Sequence, residues 1–207
     1  MINNQFMRVF YIGILIFNFI SCTEDSVIKP VEAMIIKNLY APITSAPGQI
    51  ETGKFVKFSF SEQKIVEDDK WDIAFRGKTI LINGGFSGSS DEPNRSGFGG
   101  GYVEIGNYGS IKNVDENKIR QDSESEKAIS IENGKGWFDY NIQNGLITPI
   151  EGRTLIFKTH NGRFAKVKIS SFYKDSPEVP NALLHESEYY SFNYTYQPNE
   201  GITNFNY

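Results

Sequence analysis

One thiol, two imidazoles and three thioethers carry most of the nucleophilic and metal-binding chemistry open to this 207-residue chain. The thiol is Cys22, in "NFISCTED"; the imidazoles are His160 and His185; the thioethers are Met1, Met7 and Met34. A lone cysteine excludes an intrachain disulfide framework and a cysteine-built zinc site. Neutral imidazole is a common iron ligand, so the two histidines are the first residues to follow. Other motifs fail on spacing. "RGKT" at 76–79 lacks a phosphate-loop glycine, because the residue five before Gly77 is Asp72, and a strand pattern follows it. The glycine-rich stretch after residue 83 has no βαβ context for a dinucleotide. The acid pairs Asp68-Asp69 and Glu124/Glu126 lack calcium-loop spacing. No Ser-His-Asp set or paired carboxylate stands out, and the expectation is a protein that is not an enzyme.

Residues 1–21, "MINNQFMRVFYIGILIFNFIS", explain the position of the thiol. Arg8 precedes an apolar run, Val9 to Ile20, that is shorter than the roughly 20 residues a membrane-spanning helix needs. A basic start, a short apolar run and a small residue before a cut describe an export signal. Phe19-Ile20-Ser21-Cys22 resembles the lipobox of bacterial lipoproteins, in which the chain is cut before the cysteine and its thiol carries a diacylglycerol. The alternative is an ordinary secretory signal with an incidental cysteine. Glu24 and Asp25, directly after Cys22, resemble the surface-export signal of Bacteroidetes lipoproteins, with a solvated acidic tether as the other reading. The whole chain has a formal charge of -4; starting it at Cys22 removes Arg8 and leaves about -5. The basic residues are scattered, which argues against a nucleic-acid partner.

The elements that must position these residues read as strands. The chain is 14% aromatic, with 16 Phe, 11 Tyr and 19 Gly, a composition that leans towards strands and turns. Residues 23–50 read as a tether, broken by Pro30, Pro42 and Pro47, running into a first strand at "AMIIKNLYA". In "KFVKFSF", Val56, Phe58 and Phe60 share a face; in "KWDIAFRG", Trp71, Ile73 and Phe75 point one way and Asp72, Ala74 and Arg76 the other. This alternation predicts half-buried strands of an antiparallel sheet, with "KTILING" as the next strand. Residues 83–110, rich in Gly and Ser, read as one long surface loop. Residues 112–128 read as a short solvated helix or loop. Asn161-Gly162 signals a two-residue hairpin turn pairing His160 with Arg163 and Ile156 with Val167. In the closing "YYSFNYTYQ", Tyr190, Phe192, Tyr194 and Tyr196 form an aromatic face expected to pack in the core. Trp71 and Trp137 are expected core anchors.

Several of these segments together resemble the HmuY-like family, haem-binding surface lipoproteins of Bacteroidetes. The resemblance rests on the tether after a lipobox, "KWDIAFRG" (70–77), and "ILINGGFSG" running into a Gly-rich loop. It also rests on "GWFDYN" followed by "ITPIEGRTLIFKT", then "NGRFAKVKISSFY", then "YYSFNYTYQ". These matches follow the family order over most of the chain after Cys22. The implied fold is all-β, predominantly antiparallel: a signal peptide at 1–21, a tether at 22–30 and one β domain at 31–207.

The resemblance further implies a surface-anchored lipoprotein of the outer membrane. It would capture haem or a related porphyrin and pass it to a TonB-dependent outer-membrane receptor. The alternative is a module of the same fold that has lost haem ligation and binds another ligand or a protein partner. Family members hold haem iron with two side chains, His or Met, one of them in the loop after the Trp…Tyr segment. That position falls near Gly145 in "YNIQNGLITPI", where this chain has neither His nor Met. The axial-ligand candidates are therefore His185, beside Leu183-Leu184 in a loop before a Tyr-rich strand, and His160, next to the Asn161-Gly162 turn. The two could meet on one iron only if their loops approach each other. Tyr140, Tyr173 and Tyr189 are the alternatives, since Tyr ligates ferric haem.

Overall fold

Residues 27–46 and 48–206 are described by the computed structural model. The signal segment 1–21, Cys22, Glu24 and Asp25 lie outside them.

The period-two segments form strands, and their apolar faces meet. In chain order these are β1 (Glu32–Tyr40), β2 (Val56–Ser59), β3 (Lys64–Ile65), β4 (Ile73–Arg76), β5 (Thr79–Ile82) and β6 (Gly100–Ile105). Then come β7 (Phe138–Asn141), β8 (Leu146–Pro149), β9 (Arg153–Lys158), β10 (Phe164–Tyr173) and β11 (Ser187–Gln197). One 3-10 turn, Glu116–Lys118, is capped by the Asp115 side chain. The strands make a five-stranded sheet ordered β1-β11-β10-β9-β6, a four-stranded sheet ordered β3-β2-β4-β5, and the separate hairpin β7-β8. Every strand pair is antiparallel. The fold is all-β, as the alternation predicts.

The two larger sheets share one core. Phe58, Ile73 and Phe75 of the smaller sheet pack with Phe157, Phe192 and Tyr194 of the larger one, and Trp137 closes the end nearest the hairpin. Tyr190, Phe192, Tyr194 and Tyr196 are all buried there. The buried phenols need partners, and two of them bridge the sheets: Tyr190 Oη donates to Gly77 O at 2.8 Å, and Tyr194 Oη to Phe60 O at 3.1 Å. Burial pushes the phenols of Tyr190 and Tyr194 above their ordinary value, and that of Tyr196 up to about 12.

This sets an alkaline limit. Below about pH 10 these phenols are protonated in both the folded and the unfolded chain. Above it the unfolded chain loses protons that the folded chain keeps, so stability falls as pH rises. The expected loss at pH 11 is about 1 kcal/mol for each phenol. Urea midpoints at pH 8 and pH 11 check this; equal midpoints would contradict it.

Tertiary context changes four sequence expectations. First, β4 is buried on both faces, not one. Ile73 and Phe75 face the main core, while Ala74 packs with Leu81, Phe55 and Val66 in a second cluster. Second, Trp71 joins that second cluster rather than Ile73 and Phe75, because the backbone bends at Asp72 before β4 begins. Third, the 83–110 stretch is not one loop. Its first part covers the outside of the smaller sheet, through Trp71 Nε1 donating to Asn94 O at 3.1 Å and an Arg76–Asp91 ion pair. Its second part is β6, paired with β9. Glycine is what permits that approach: a Cβ on Gly101 would meet Ile156 O of β9 at 2.9 Å. Fourth, the β9–β10 turn has three residues. Lys158 pairs with Phe164 and Ile156 with Lys166, one step from the predicted register. Gly162 alone takes positive φ, at 84°, the pattern of a type I turn closed by a glycine bulge. His160 is thus a turn residue, not a cross-strand partner of Arg163.

Candidate functional site

The register of that turn decides what His160 does. Its Nδ1 lies 2.7 Å from Asp72 Oδ1, which also accepts the His160 backbone N–H at 3.0 Å. Asp72 Oδ2 accepts Phe60 N–H at 2.7 Å, and the carboxylate is buried. A carboxylate can only accept here, so Nδ1 carries the proton and the ring is tied to the smaller sheet. His160 is a structural clamp between the β9–β10 turn and the start of β4.

His185 stands at the opposite end of β10. Ten residues of β10 separate the two turns, which at strand rise is on the order of 30 Å. The two histidines are not brought to a common point. What the fold does bring together is the Gly145 turn and the His185 loop. The turn joins β7 to β8, where Asn141 pairs with Leu146. Gly145, at φ 70°, donates its N–H to Asn141 O at 2.8 Å. The hairpin is held by Ile147 N–H donating to Tyr173 Oη at 3.0 Å. A Cβ placed on Gly145 would lie 3.9 Å from Ala182 Cβ, so the turn faces the loop at the distance of one side-chain carbon.

The facing loop, 174–186, joins β10 to β11. Its base is closed by Lys174 N–H donating to Glu186 O at 2.9 Å, and by Asn38 Nδ2 donating to Asp175 Oδ1 at 2.8 Å. Its tip is a turn built on Asn181. Asn181 O accepts His185 N–H at 2.9 Å, and Asn181 Oδ1 accepts Leu183 N–H at 2.9 Å. Asn181 N–H in turn donates to His185 Nδ1 at 2.9 Å. Between turn and loop lies a groove of about 240 Å³, with Gln143, Asn144 and Leu146 on one wall and Pro180, Asn181, Ala182 and Leu183 on the other. The two loops carry large exposed apolar side chains, Leu183 in the wall itself and Ile142, Val179 and Leu184 beside it: Ile142 is 85% exposed, Val179 79%, Leu183 91% and Leu184 78%. Exposed apolar residues clustered on facing loops mark an interaction site more often than scattered ones do.

The tyrosine candidates separate on burial. Tyr173 is buried in the core and its Oη is occupied by Ile147. Tyr140 is exposed on β7, beside a mainly apolar hollow of about 270 Å³ formed with Phe138, Ile131 and Ile147. Tyr189 stacks on Tyr40 with ring centroids 4.4 Å apart. Partial desolvation, with the Glu186 carboxylate to which its hydroxyl donates, raises its phenol above the ordinary value. That disfavours the phenolate that iron would need. Among the described residues no group of three or more His, Cys, Asp or Glu could hold a metal ion.

One feature of the two candidate regions was only half visible in sequence, and another was not visible at all. The apolar crown was signalled by Leu183-Leu184 beside His185, whereas Ile142 and Val179, in Pro- and Asn-rich loops where no periodic face claims them, were passed over. The partner of His160, 88 residues away at Asp72, carried no local signal.

The HmuY protein family model matches residues 51–194. No curated protein matches the chain. Among solved structures, a candidate HmuY-like heme-binding protein of Bacteroides vulgatus is 13% identical, with TM-score 0.46 over 82% of this chain and 93% of the other. A candidate lipoprotein of Bacteroides fragilis is 14% identical, with TM-score 0.42 over 70% and 85%. The apo form of an HmuY analogue of Tannerella forsythia is 15% identical, with TM-score 0.44 over 84% and 100%.

Proposed function

The chain belongs to the HmuY family, and from that premise we propose that it binds haem or a related porphyrin in the groove between the 142–146 turn and the 179–185 loop. The role is binding, not a reaction. The observation that carries this reading is the pair of facing loops that carry exposed apolar side chains around the groove, with one imidazole, His185, held against the lining residue Asn181. A single imidazole suits an iron that brings its own equatorial donors better than a bare ion. Gln143, Asn144 and Leu146 on the opposite wall supply no second imidazole or thioether, so the donor set fits ligation from one side. A groove of about 240 Å³ is smaller than the roughly 300–1,000 Å³ of enclosing ligand sites. A porphyrin would be gripped along one edge and left partly in solvent, a geometry suited to handing it on to a TonB-dependent receptor.

Haemin titration followed by absorbance tests this. The expected result is a saturable Soret shift, weakened at least about tenfold in His185→Ala, the order of effect of losing a key metal contact. An undiminished shift would move the ligand to His160 or a tyrosine.

A second reading has its own observation. The Nδ1 lone pair of His185 is engaged by Asn181, and the facing wall offers no second ligand. On that reading the same groove binds another ligand or a protein partner. No Soret shift in either oxidation state would favour it.

Anchoring at the outer-membrane surface through acylated Cys22 completes the proposal. Cys22→Ala is expected to abolish lipid labelling and to release the protein from the membrane fraction; retention there would refute the anchor.

A further inference from the structure

We infer that Asn181 is a positioning residue that latches His185 in a form unable to ligate a metal, so that capture at this groove requires the 181–185 turn to open. The inference rests on the porphyrin-binding reading of the groove.

The argument is one of lone pairs. Neutral imidazole has one protonated and one unprotonated ring nitrogen, and only the unprotonated one can bind a metal. Asn181 N–H donates to His185 Nδ1 at 2.9 Å. Nδ1 is therefore the unprotonated nitrogen, and its lone pair points at an amide hydrogen. Nε2 carries the proton. Neither nitrogen is available while that bond lasts. Breaking it frees Nδ1 directly, or lets the proton move to Nδ1 and frees Nε2.

His160 is arranged the other way round. There Nδ1 donates to Asp72, leaving the lone pair on Nε2, but at the far end of β10. The latch is also cheap to open. Leu183 and Leu184 are almost fully exposed, so opening uncovers little apolar surface, and segments with few buried contacts open most readily. The closed turn is held chiefly by bonds converging on Asn181.

The first test is nitrogen NMR of the histidine rings of the full chain in detergent, before any haemin is added. The expected result is a His185 ring protonated on Nε2; protonation on Nδ1 would overturn the latch. The second test uses Asn181→Pro, which deletes the amide donor, beside Asn181→Ala, which keeps it and removes the Oδ1 bond to Leu183. Haemin should bind Asn181→Pro about fivefold more tightly than wild type, the equivalent of one ordinary net hydrogen bond, and Asn181→Ala by a smaller factor, because it keeps the amide donor to Nδ1 and loses only the Leu183 bond. Equal affinities for wild type and a folded Asn181→Pro would overturn the proposal. If Asn181→Pro does not fold, the wild-type ring spectrum decides. Binding by Asn181→Pro alone would support the latch in its strongest form. No binding by any variant would remove the porphyrin reading, and the ring spectrum would still decide the latch.

Discussion

Asp72→Ala is expected to lower the unfolding free energy by about 3–5 kcal/mol, the range for removing one partner of a buried, hydrogen-bonded charge. The Asp72 carboxylate is buried and accepts from Phe60 N, His160 N and His160 Nδ1. Its removal leaves three donors without partners. Two of them are backbone groups on different elements, one following β2 and one in the β9–β10 turn, so the loss falls on the joint between the sheets. His160→Ala should be milder, because the ring is partly exposed, 18% by side chain, and the carboxylate keeps both backbone donors. Urea unfolding of the chain from residue 23 measures both. A loss below about 1 kcal/mol for Asp72→Ala, the worth of one ordinary hydrogen bond, would mean that the clamp is dispensable.

Arg95→Met is expected to be comparably damaging and to act on a different segment. Arg95 and Asp122 form an ion pair whose side chains are 2% and 0% exposed. The same guanidinium donates to Ile82 O at 3.3 Å and Gly84 O at 3.2 Å, and pairs with Glu92. It fixes the glycine-rich segment against both the end of β5 and the strand-free stretch around Asp122. Without it the Asp122 carboxylate keeps only Ala128 N–H, at 2.7 Å, and a long contact from Ile82 N. A lone buried carboxylate costs about 3–5 kcal/mol. The segment 83–99 should then become a site of early proteolytic cleavage, detectable by limited digestion under native conditions. Adding Asp122→Leu removes the stranded charge, and the double variant should recover at least half of the lost stability. Single and double variants that lose stability additively would show that the pair is not coupled.

Neither buried partner could be found by reading along the chain. Asp72 was placed only as a residue on the opposite face from Trp71, and its function depends on a turn 88 residues further on. Arg95 lay within a segment read as solvent-exposed loop. The candidate site was more legible. Gly145 was singled out by family resemblance and His185 by residue type, and the fold places their loops on either side of one groove. What was not legible was the separation of His160 from His185, which follows from β10 running unbroken between their turns. Nor was the use of the His185 lone pair by Asn181.

The sequence by itself determined the class of this fold. Period-two alternation, the Asn161-Gly162 turn and the aromatic face from Tyr190 to Tyr196 are local properties, because side-chain direction in a strand alternates whatever the strand pairs with. Tertiary structure alone decided register, the number of buried faces and the partners of polar groups. The glycine-rich segment became β6 because β9 offered an edge and the absent Cβ atoms let the chain lie close. β4 was covered on its second face by the segment that Arg95 holds down. These outcomes depend on which surfaces meet across long stretches of chain, and that information lies in the contacts between elements, not within any one of them.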